Sequence, residues 1–141
     1  MKNSITSICI LLLFLASCSR GYKPIEYGEH ACDHCKMTIL DHRFAAELVD
    51  SKGKIFKFDD IICLKQYKEE NNIAGNDLLI FVEQYDDERN KVIDAQKAIY
   101  LQSEFFASPM NGNYAAFGNA DEAKRFSDSL NIKALNWSDI K

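Results

Sequence analysis

Apolar positions along the chain come in short blocks separated by polar turns, and the blocks set the predicted elements. Phe44 to Val49 and Lys54 to Phe58 flank the turn Asp50-Ser51-Lys52-Gly53, which predicts a β-hairpin. Asp59-Asp60 then offers a helix N-cap, and Ile61 to Glu70 reads as a helix ended by Asn71-Asn72 and Gly75-Asn76-Asp77. Leu78 to Val82 is a short apolar run, read as a buried strand. After a turn at Asp86 to Asn90, Ala98 to Leu101 and Tyr114 to Phe117 read as two more strands. Asn119 caps a second helix with Glu122 in capping-box position. Ala123, Phe126 and Leu130 give that helix one apolar stripe, and Ala134 to Trp137 reads as a closing strand.

The order β-β-α-β therefore occurs twice. Setting Phe58 over Phe117 places the capping residues Asp60 and Asn119 together and ends each aligned stretch on an aromatic, Tyr67 or Phe126. The expected fold class is α+β, two tandem β-β-α-β units over residues 32–85 and 86–141, each a small antiparallel sheet with one helix. Units of roughly 55 residues are too small for a generous core of their own, so the two should pack together or share edges.

The first residues follow a different pattern. An apolar run from Ile8 to Ala16 follows a single charge, Lys2. It is shorter than the about 20 apolar residues of a membrane-spanning helix and fits the core of an export signal. The run closes Leu15-Ala16-Ser17-Cys18, which looks like a bacterial lipobox, cleaved after residue 17 with lipid on the Cys18 sulfur. The alternative is an ordinary secretory signal. Residues 18–31 then read as a lipid-anchored tether, polar apart from a few positions. The expected location is the cell envelope, facing the periplasm.

Composition changes this picture in two places. The formal net charge of −4 becomes −5 once Lys2 leaves with the signal, which argues against nucleic-acid binding. The 5 Cys divide into Cys9 in the signal, Cys18 at the anchor, and Cys32, Cys35 and Cys63 in the folded part.

His30-Ala31-Cys32-Asp33-His34-Cys35-Lys36-Met37 carries two thiols, two imidazoles and a thioether. Three chemistries can use it. Thiolate and thioether select copper(I), and Cys-x-x-Cys lets both sulfurs reach one ion from one turn. Met37 adds a ligand that needs no deprotonation, and Met110, in the polar turn Ser108 to Asn113, is a further candidate or a packing residue. A structural zinc site needs four closed ligands, with Cys63 and one of His30, His34 or His42 completing it. Thiol–disulfide exchange has the right spacing, but it favours a first Cys at a helix N-terminus, and Met37 to Leu40 looks extended. Cys63, between Ile62 and Leu64, reads first as a packed core thiol; its place in the first helical turn leaves a ligand role open. His42, between Asp41 and Arg43, reads as a solvated turn residue. Glycine-rich phosphate loops, Gly-x-Ser-x-Gly and His-Glu-x-x-His do not occur.

Taken in order, the lipobox ending in Cys18, Cys32-x-x-Cys35-x-Met37, Phe58-Asp59-Asp60 followed by Cys63-Leu64, and Met110-x-Gly112 leading to Ala116-Phe117 resemble the NosL family of copper-binding lipoproteins. The resemblance implies two similar treble-clef-like β-β-α-β units and a periplasm-facing copper(I) metallochaperone rather than an enzyme. It also implies delivery to a cuproenzyme client such as nitrous oxide reductase. Cys32, Cys35, Met37 and Met110 fit the family's motifs. His34 stands where many members carry an aromatic residue, and its inclusion as a ligand is an inference from this sequence. The expected partners are the copper(I) ion, the membrane through the N-terminal lipid, and a copper donor or client.

Overall fold

A computed structural model describes residues 20–86 and 91–141. The segments expected as an export signal and a lipobox, and most of the turn expected at Asp86 to Asn90, lie outside the described residues. Among those described, no helix is long and apolar enough to cross a membrane.

The fold is α+β. Strands β1 (Ala46–Val49), β2 (Ile55–Phe58), β3 (Leu79–Glu83) and β4 (Val92–Asp94) form an antiparallel sheet in the order β2-β1-β3-β4. Strands β5 (Ile99–Gln102) and β6 (Tyr114–Phe117) form a second, two-stranded sheet. Helix α1 (Ile61–Glu70) packs on β1 and β2, and helix α2 (Ala120–Leu130) packs on β5 and β6.

Local chemistry explains the boundaries. Asp60 has an extended backbone, and its side chain accepts the Ile62 N–H at 2.8 Å, so α1 starts where a cap is available. Asn119 does the same for α2 through the Asp121 N–H, also at 2.8 Å. Phe44, expected to begin the first strand, instead lies in a 3-10 turn, His42–Phe44, capped by the Asp41 side chain. The strand expected over Ala134 to Trp137 shrinks to Leu135, which exchanges both backbone bonds with Tyr100 at 2.8 and 2.9 Å. Asn136 already caps the next 3-10 turn, Trp137–Asp139, and this stops the pairing. Strand β4, three residues long, is too short to stand out in the sequence.

Leu135 lies beside β5 as β3 lies beside β1, so the order β6-β5-Leu135 mirrors β2-β1-β3. The halves share edges: the Tyr85 N–H donates to the Ala116 carbonyl at 2.9 Å, and the Gly118 N–H to the Gln84 side chain at 2.9 Å. One core lies between the first sheet and α1, built on Leu48, Phe56, Phe58, Ile80, Val82, Ile61 and Leu64. The other gathers Phe44, Phe106, Phe117 and Phe126 around the Tyr85 ring, with centroids 4.9–5.9 Å away.

The segment expected as a tether is packed over its described part. Residues 20–31 lie along the first sheet, with Ile25 only 6% exposed and both tyrosines hydrogen-bonded to Glu83. Polar composition misled here because the polar groups find buried partners.

Candidate metal centre

The Cys32–Cys35 segment is a tight knuckle. Ala31 and Thr38 pair across it, the Cys32 N–H donates to the Met37 carbonyl at 2.8 Å, and the Lys36 N–H returns to the Cys32 carbonyl at 3.0 Å. Lys36 closes the turn in the left-handed region at φ 66°. That conformation is unfavourable for a side chain other than Gly or Asn, so the loop around it must hold it in place. Asp33 fastens the knuckle to β2 through two bonds with the Lys57 backbone, at 2.7 and 2.8 Å.

The knuckle points its sulfurs at the start of α1. Cys63 is the third residue of the helix and fully buried, and Cys32 is fully buried opposite it. Asp59, 2% exposed, sits between the end of β2 and the helix cap, with both carboxylate oxygens 3.4–3.5 Å from the Cys35 sulfur. One ligand atom from each of Cys32, Cys35, Asp59 and Cys63 lies within 4.8 Å of all the others. Thiolates around a tetrahedral ion with bonds of about 2.3 Å stand roughly 3.8 Å apart, so the group closes on a metal by moving about an ångström.

The thiols are unequal. The Cys32 sulfur accepts a hydrogen bond from the Cys63 thiol, which draws its pKa down to about 6. Backbone N–H groups of Asp59, Cys35 and His34 help hold that negative charge. Burial pushes the Cys35 thiol up to about 11, although the Met37 N–H partly offsets it. Cys63, the donor to Cys32, is held strongly protonated. The metal-free cluster therefore carries one thiolate with N–H donors already aimed at it, and two thiols that lose their protons to an incoming ion.

Cys32 and Cys35 are thus brought together with Cys63, whose core reading and ligand reading describe the same position. Met37 follows on the knuckle with its side chain 47% exposed. Met110 half-packs against the core that contains Cys32 and Cys63, and its N–H donates to Asp60 at 3.1 Å. The His34 ring is not in the cluster: its Nε2 lies 3.2 Å from Glu70 at the end of α1. Asp59 is the member that sequence reasoning missed. The signal was the doubled acid, since one aspartate suffices to cap the helix.

A family model described as NosL matches residues 25–141. The chain belongs to the NosL family. Among solved structures, the fold is similar to that of the copper chaperone NosL from Shewanella denitrificans. The TM-score is 0.70 at 17% identity, over 87% of this chain and 97% of that one. No curated protein matches the chain. Among the described residues, the Cys/Asp cluster lies in the first half. The corresponding start of α2 offers Gly118 and Glu122 where α1 has Asp59 and Cys63.

Proposed function

We propose that this NosL protein is a copper(I) carrier, tethered to the membrane through Cys18, that receives and releases its ion by ligand exchange. The observation that carries the reading is the convergence of Cys32, Cys35 and Cys63 around one point. Three thiolates suit a soft monovalent ion that accepts low coordination numbers. The Asp59 carboxylate stands where it can take the Cys35 proton as the ion enters. Its hard oxygen is a poor ligand for copper(I), so the three sulfurs form the inner set. Met37, exposed and two residues past Cys35, is the thioether an acceptor protein meets first. Met110, half-packed against the core that holds Cys32 and Cys63, is a second thioether candidate. The family and the copper chaperone of like fold support the same cargo.

Membrane attachment rests on Leu15-Ala16-Ser17-Cys18, and with it the periplasmic location. Anchoring keeps the carrier near any membrane-bound donor or client, a nitrous oxide reductase assembly site among them, and raises the effective concentration of that partner.

One observation favours a second reading. Three sulfurs and a carboxylate are also a tetrahedral set for zinc, which would make the metal structural. The buried position of Cys32, with no helix directly after Cys35, argues against thiol–disulfide exchange with a protein substrate.

The test is anaerobic loading of the reduced protein in competition with a copper(I) chelator. One ion per chain, lost when Cys32 and Cys35 are both changed to Ser, supports the carrier. Zinc in the protein as isolated, with unfolding on its removal, supports the structural reading instead.

A further inference from the structure

Away from the thiols, the outer face of the first sheet buries two carboxylates. Strand alternation sends Ala46 and Leu48 of β1 into the core and Glu47 to the opposite face. Glu47 is nonetheless completely buried, because residues 20–27 cross that face as a strap. Its register partners are Lys57 on β2 and Phe81 on β3, and Glu83 lies two residues beyond Phe81 on the same side.

The strap is held through these acids. Tyr22 and Tyr27 both donate to Glu83 Oε1, at 2.9 and 3.1 Å, and the Tyr22 ring packs edge-on against Phe81 at 5.7 Å. The Lys23 N–H donates to Glu47 Oε1 at 2.9 Å. Glu47 Oε2 is buried with no hydrogen-bond partner among the described residues. An ionised carboxylate in that position leaves an acceptor without a donor, which is costly.

Charged groups reach Glu47 from the strap and from both neighbouring strands. Lys57 faces Glu47 from β2, but its ammonium group donates to the Pro24 carbonyl at 2.6 Å. Lys23 bears on Glu47 from the strap itself and Glu83 from β3, while Asp41 and the His42 ring lie nearer Tyr27. The unpartnered Glu47 Oε2 leaves a place for one proton.

We propose that Glu47 is a proton-operated latch, holding the 20–27 strap on the sheet when protonated and loosening it when ionised. The strap runs within a few residues into Cys32, and Lys57 contacts both the strap and, through Asp33, the knuckle. Opening the latch therefore frees the chain between the proposed anchor and the metal centre. The inference does not depend on which metal the thiols hold.

Burial raises the Glu47 carboxyl to about 7, with Glu83 adding to the shift and the Lys23 N–H and Lys57 opposing it. A group raised in the closed state stabilises that state fully below its ordinary value of 4.5, and the contribution is lost as pH rises through about 7. Linkage between these two values predicts that strap opening increases about tenfold from about pH 6 to about pH 8.

The experiment is hydrogen–deuterium exchange of the full chain in detergent, following peptides from residues 20–27 and correcting for the intrinsic pH dependence of exchange. Strap protection in the native sequence should fall about tenfold over that interval. Glu47→Gln keeps the acceptor for the Lys23 N–H and should abolish the slope. Tyr27→Phe should weaken protection at every pH and leave the slope intact. A flat profile in the native protein, an unchanged slope in Glu47→Gln, or loss of the slope in Tyr27→Phe overturns the proposal.

Discussion

Asp60 ties the helix that carries Cys63 to the loop that carries Met110 through one buried carboxylate. Its Oδ1 accepts the Ile62 N–H at 2.8 Å and caps the helix that carries Cys63; its Oδ2 accepts the Met110 N–H at 3.1 Å and anchors the loop from the second half. Asp60→Ala removes both bonds at a site 1% exposed, so water does not replace them. Loss of the cap costs about 1 kcal/mol. Loss of a charge-assisted bond to a buried N–H costs about 1.5–3 kcal/mol more. The total, about 3 kcal/mol, corresponds to a Tm about 10 °C lower for a domain of this size. Asp60→Asn separates the two contributions. Its amide oxygen can still cap Ile62, but its NH2 group then meets the Met110 N–H, so it should cost about half as much. Urea unfolding of the reduced, metal-free protein, followed by circular dichroism, measures both variants. An Asp60→Ala penalty below about 1 kcal/mol, or an Asp60→Asn variant no better than Asp60→Ala, would refute the shared-carboxylate account.

The same junction makes Gly112 sterically necessary, since a Cβ there would stand 2.1 Å from Ile62 Cγ1. Gly112→Ala should destabilise by about 1–3 kcal/mol in the same assay, and Ile62→Ala in the Gly112→Ala background should recover part of it. In the metal-free protein, a pH titration of thiolate ultraviolet absorbance should show one thiolate forming near pH 6, that of Cys32. Cys63→Ala removes the donor to that sulfur and should move the step upward. The lowered Cys32 group also stabilises the native sequence at high pH, an effect lost as pH falls from 9.0 through about 6. Cys63→Ala should flatten that part of the stability profile.

The elements with strong local signals were legible in the sequence. Helix α1 runs over the residues that the Asp60 cap and the Asn71-Asn72 stop mark out, and β6 occupies the four apolar positions before Gly118. What escaped was decided by tertiary partners. Tyr22, Lys23 and Tyr27 look solvated until Glu47 and Glu83 are placed beneath them. Leu135 pairs with Tyr100 for a single residue because a capping turn follows at once. Within the site, Cys32-x-x-Cys35 was readable as one ligand pair because a knuckle is local. Cys63 and Asp59 required knowing that the hairpin returns β2 beside the knuckle. His34 shares the motif, but the turn aims its ring at Glu70.

The most direct test of copper(I) binding by three thiolates is X-ray absorption on the protein loaded anaerobically with one equivalent of the ion. Copper(I) with three sulfur ligands in the native chain, falling to fewer sulfurs in Cys63→Ala, is the predicted result. A spectrum that Cys63→Ala leaves unchanged, or a native chain that retains no copper(I), would contradict it.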